Sequence, residues 1–139
     1  MTALAYDSTL VRTVEAQASD VALIQLGEAV NAGQAIQKAS DNLWYLADGN
    51  GSGVPLTFGA YAVQNGGAND RILSQRGGTI YLGVDTEEGM LYVLSSTPGG
   101  TENVVEALVT SGLEVTLIGY GDDAGNLVIK RVETGFTIA

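Results

Sequence analysis

Along this chain, short apolar runs alternate with clusters of Gly, Asn, Asp, Ser and Thr. "LYVLSSTPGG", Leu91 to Gly100, is the clearest unit: an apolar run set directly against a Ser-Ser-Thr-Pro-Gly-Gly turn. Turn signals recur roughly every 8–12 residues, the rhythm of an all-β sandwich or barrel. The pattern predicts strands at Leu10–Ala16 and Val21–Leu26, then a short run after the Asn31-Ala32-Gly33 break. It predicts another in "DNLWYLADGNGSG", opened by Asp41-Asn42 and closed by the loop from Asp48 to Gly53, with Trp44 as a core residue. Leu56–Val63 alternates small and large residues, as a strand packed closely on its neighbour does.

"RILSQRGGTIYLGVD" reads as two strands about a Gly77-Gly78 turn, and "EEGMLYVLSS" as another strand entered through Glu88-Gly89. "LEVTLIGYG" and "NLVIKRV" bracket "DDAGN", a hairpin with Asp and Gly where positive φ is wanted. "TGFTIA" reads as a last strand. Only "GTENVVEALVTSG" admits a helix, capped by Thr101 and ended by Gly112; an irregular crossover fits it equally. The expected fold is therefore all-β: a small sandwich or barrel-like domain over residues 21–139, at most one short helix, and an extended N-terminal arm over residues 1–20.

Composition sharpens this picture. In 139 residues there are 19 glycines, nearly twice the usual rate and without a collagen period. Hydrophobic residues make up 45% and charged ones 16%, which suits one packed core rather than disorder. The formal net charge is −10, and the six bases are scattered. That argues against nucleic acid, which demands clustered Lys and Arg, and against anionic membranes. No basic stretch followed by an apolar one opens the chain, and no window is apolar enough to span a bilayer.

Cysteine and histidine are both absent, so disulfides, Cys or His nucleophile systems and zinc sites built on those ligands are excluded. Catalysis would fall to carboxylates. The adjacent pairs Glu87-Glu88 and Asp122-Asp123 sit in turns, where neighbours do not face each other across a cleft. Asp85, Glu87 and Glu88, or Asp122, Asp123 and Asn126, offer hard oxygens to calcium but match no calcium-loop spacing. "GNGSG" lacks the Lys-Ser/Thr of a phosphate cradle, and Ser95 and Ser96 have no histidine as base. Tyr6, Tyr45, Tyr61, Tyr81, Tyr92 and Tyr120 are expected at half-buried strand positions rather than as a sugar platform. No catalytic residue, cofactor or metal ligand is expected, and a binding or structural module remains.

The series "AVNAGQAIQKASDNLWYLAD", "TFGAYAV", "GGTIYLGV", "GMLYVLSSTPGG" and "LEVTLIGYG" resembles the small capsid decoration (cement) proteins of tailed bacteriophages, and related β-modules at the base of head or tail fibres. The matching segments run from Ala29 to Tyr120; the best single motif is Gly-x-x-Tyr-x-x-Ser-x-x-Pro-Gly-Gly, Gly89 to Gly100. The resemblance implies a structural virion protein on the outer surface of an icosahedral head, a homotrimer bound to the major capsid protein across capsomer joints. A fibre-base or fibre-tip module binding host glycans is the alternative. Leu4, Tyr6, Leu10 and Arg12 are the expected contacts to capsid or a neighbouring copy, and Tyr81, Tyr92 and Ile118 the expected trimer-packing residues.

Overall fold

The computed structural model describes residues 4–47, 58–95, 97–107 and 114–137. After an irregular start come β1 (Arg12–Glu15), a 3-10 turn (Ala18–Asp20), β2 (Val21–Gln25), β3 (Ala35–Lys38), β4 (Trp44–Leu46) and β5 (Ala60–Ala62). They are followed by β6 (Arg71–Gln75), β7 (Gly78–Tyr81), β8 (Leu91–Leu94), β9 (Thr101–Asn103), the single-turn helix α1 (Val104–Ala107), β10 (Glu114–Gly121) and β11 (Leu127–Thr137). A six-stranded sheet has the order β1-β7-β11-β10-β8-β9, and a five-stranded sheet the order β2-β6-β5-β3-β4. All these strand pairings are antiparallel.

Two cores follow from the two faces of the five-stranded sheet. Between the sheets, Ala35, Phe58 and Tyr61 meet Ile80, Tyr92, Leu94, Ile118, Leu127 and Ile129. The Phe58 and Tyr61 rings pack tilted, with centroids 4.9 Å apart. On the far face, Ile24, Leu26, Ile36, Ala60, Ala62 and Ile72 form a second cluster, flanked by Trp44 and Leu46. This second cluster is enclosed because the sheet curls until its edges meet. Leu26 bridges Trp44, the Gly27 amide donates to the Trp44 carbonyl at 2.8 Å, and the Leu46 amide donates to the Glu28 carboxylate at 2.9 Å. Ala60 and Ala62 suit the inside of so tight a curl, since larger side chains would not fit its radius. The domain is thus a sandwich, one layer of which closes on itself.

Several expectations are changed by this topology. β6 and β7 do not form a hairpin about Gly77-Gly78: they lie in different sheets, and the glycine pair is the corner between them. Gly78 turns that corner at φ +75°, with the Glu15 carbonyl where a β-carbon would sit. The 122–126 turn is a hairpin as expected, with Gly125 at φ +82°. The closing "TGFTIA" is no separate strand, because β11 runs on unbroken to Thr137. The sequence from Thr101 starts as strand β9, and helix begins only at Val104; the expected helix end at Gly112 lies outside the described residues, as does the Asp48–Gly53 loop.

Residues 4–20 run along the domain instead of reaching away from it. The Leu4 amide donates to the Thr101 carbonyl at 2.6 Å, and the Asp7 amide to the Leu82 carbonyl at 3.0 Å. Leu4, Tyr6 and Val11 pack on the inter-sheet core. β1 then completes the six-stranded sheet by pairing with β7.

Candidate interaction surface

Strand parity decides which side chains reach the outside, because successive residues point to opposite faces. In "LYVL" of β8, Tyr92 and Leu94 enter the inter-sheet core, so Leu91 and Val93 lie on the opposite face, where Leu91 is exposed and Val93 is buried. In β10 a bulge between Leu117 and Gly119 turns Ile118 inward and leaves Leu117 and Tyr120 outside. In β11, Leu127 and Ile129 are internal, so Val128, Lys130 and Val132 are external.

Register then assembles these residues into rows. Leu91, Tyr120, Val128 and Thr79 lie side by side across β8, β10, β11 and β7. Val93, Leu117 and Val132 form the next row. Leu91, Tyr120 and Val132 remain 43%, 38% and 51% exposed, while Val93 is fully buried where α1 packs on β8 and β9, so part of the outer face of this sheet is an exposed apolar surface. Exposed apolar surface that is contiguous, unlike scattered single residues, marks a contact site.

Arg12 and Tyr81 belong to the same face. They are partners across β1 and β7, and the Arg12 guanidinium stands 5.2 Å from the Tyr81 ring centroid. The other expected contact residues fall elsewhere. Ile118 and Tyr92 are buried in the chain's own inter-sheet core, so neither offers surface for trimer packing. The Tyr92 hydroxyl is occupied too, accepting from the Glu87 amide at 2.9 Å. Leu4 and Tyr6 lie partly buried against that core, which turns them from a reaching arm into a strap; Leu10 is exposed. Trp44 is half-buried beside the second core, as expected for packing.

Among the residues considered for catalysis or metal binding, Asp122 has a structural role. Asp122 Oδ1 accepts from the Ala124 and Asn126 amides at 2.9 and 2.8 Å, and these bonds hold its carboxyl below the usual carboxylate range. The 85–88 loop docks on this turn: the Thr86 amide donates to the Gly125 carbonyl at 3.0 Å and its hydroxyl to the Asn126 carbonyl at 2.6 Å. The two acidic loops are therefore neighbours, yet no three acidic side chains among the described residues are placed to hold a metal ion.

Ser95 does have a carboxylate partner that the sequence did not reveal. Its hydroxyl donates to Glu102 Oε1 at 2.5 Å, across the β8–β9 turn. Both side chains are buried, and Ser95 Oγ also accepts from the Thr97 amide at 3.0 Å, so the pair braces the turn. The same turn ties the sheets together. The Gly99 amide donates to the Ala47 carbonyl at 2.7 Å, and the Gly99 carbonyl accepts from the Ala35 amide at 2.9 Å. Among the tyrosines, Tyr61 and Tyr92 are buried, while Tyr81 and Tyr120 share the outer face.

Compared with known proteins, the chain matches no protein-family model, and no curated protein is similar enough in sequence to count as a relative.

Proposed function

We propose that this chain is a structural contact protein of a tailed-bacteriophage virion: a capsid decoration protein that binds the outside of the head as a homotrimer and stabilises capsomer joints. One observation carries the reading beyond the resemblance in sequence. It is the group of exposed apolar side chains on the outer face of the six-stranded sheet, Leu91, Tyr120 and Val132. Asp122 and Ser95, two of the side chains weighed for catalysis, are engaged in turns.

A protein of this kind stabilises a shell by area buried between neighbours, and many modest contacts sum to a durable hold. The two-core build suits that task, since a stiff body transmits load across a joint instead of yielding. The test is copy number per particle. Decoration of the shell predicts a number that scales with capsomers; a handful of copies at the tail, with measurable sugar binding, would favour the fibre-module alternative and overturn this one.

A further inference from the structure

We propose that the outer face of the six-stranded sheet is the surface on which a second copy of this chain docks, with the acidic loops of one copy set against Arg12 and Lys130 of the other. The inference rests on reading the chain as a self-associating contact protein and supplies the face that reading leaves open.

Charge distribution selects the partner. Two chains of net charge −10 repel wherever their acidic surfaces approach. On the outer sheet face acids and bases are more nearly balanced. Its described charges are Arg12 and Lys130 against Glu15 and the buried Glu102, two of each sign, on a field of Leu91, Tyr120, Val128, Leu117 and Val132. The end of the molecule at the 85–88 loop and the 122–126 turn is the opposite case. Asp85, Glu87, Glu88, Asp122 and Asp123 crowd there, and residues 82–90 and 121–126 contain no base. One copy therefore carries both halves of a complementary contact: an apolar face with exposed cations, and an acidic tip held rigid by the Thr86 bonds to Gly125 and Asn126. An acidic stranger would meet Arg12 and Lys130 equally well, but every copy of this chain brings its own acidic tip to the contact.

The test is sedimentation of the full chain over a range of concentrations. The wild type is expected to associate. Leu91→Lys with Val132→Lys, both at exposed positions, should weaken association by roughly 100-fold or more, the loss of two buried aliphatic side chains. These changes lower the net negative charge, so general repulsion would predict the reverse. Leu23→Lys, an exposed leucine on the other sheet, should leave association unchanged. Lys130→Glu should weaken it about 2–5-fold, and adding Asp123→Lys to the same chain should restore it. A monomeric wild type, an unaffected double-lysine variant, or an equal loss from Leu23→Lys would overturn the proposal; should the double variant not fold, Lys130→Glu and its charge swap decide. Wild-type binding to heads with association untouched by these variants would refute this face and leave the decoration reading standing. Association through this face with no binding to heads would do the opposite.

Discussion

The hydroxyl of Tyr61, on the five-stranded sheet, lies 2.6 Å from that of Thr101, at the edge of the six-stranded one, with both residues buried. It is a polar rivet through an apolar core, and burial raises the Tyr61 pKa, the Thr101 hydrogen bond only partly opposing it. The sign of the pH effect follows. Above about pH 10 an unfolded chain releases the phenol proton while the folded one keeps it, so stability falls as pH rises, by about 1.4 kcal/mol per pH unit for this group. Tyr61→Phe should cost about 0.5–1.5 kcal/mol at neutral pH. The same variant should show a shallower alkaline decline than the wild type. Denaturant melts at pH 7 and above pH 10 check both.

Leu91 and Leu94 share a strand but not a face. Leu94→Ala empties part of the inter-sheet core and should cost about 2–5 kcal/mol. Leu91→Ala, on the outer face, should change the stability of the isolated chain by no more than about 0.5 kcal/mol. Equal losses from the two would mean that the parity of β8 is misassigned, which denaturant unfolding of dilute protein will reveal.

Gly78→Ala tests the corner between the sheets. The positive φ costs an L side chain about 1–3 kcal/mol, and the Glu15 carbonyl would have to move as well. Gly89→Ala provides the comparison, since it has a similar φ of +75° with open space around it. Thermal melts should show the larger loss at Gly78.

Asp122 anchors its turn through two backbone amides, which lower its pKa; Asp7 and Asp41 are lowered by side-chain and backbone bonds of their own. Each favours the folded state above the ordinary carboxylate pKa and loses that advantage as pH falls through its depressed value. Asp122→Asn keeps an acceptor but no charge. Its melting temperature should lie below that of the wild type at pH 6, and the gap should close as the pH approaches 2.

Much of the fold is legible in the residues. The strand–turn rhythm, the 122–126 hairpin and the β8 exit at Pro98-Gly99-Gly100 follow from turn chemistry, which is local. What is not legible is long-range. Gly77-Gly78 looks the same in sequence whether it closes a hairpin or turns a corner between sheets, because both need a positive φ. The curl that brings Leu26 to Trp44 has only the small size of Ala60 and Ala62 as a trace. Which strand residues face outward is not legible either. Tyr92 and Ile118 stand next to Leu91 and Leu117, and alternation separates the two sets without revealing which faces out; the bulge at Ile118 hides the parity further. Arg12 and Tyr81 lie far apart in sequence, and register places them together on the outer face.

The decoration account is tested most directly by adding the purified chain to heads that lack it and recording the temperature at which packaged DNA escapes. The account predicts that the chain fills its sites to saturation and that DNA release then moves to higher temperature. Saturable binding with an unchanged release temperature, or no binding at all, would contradict it.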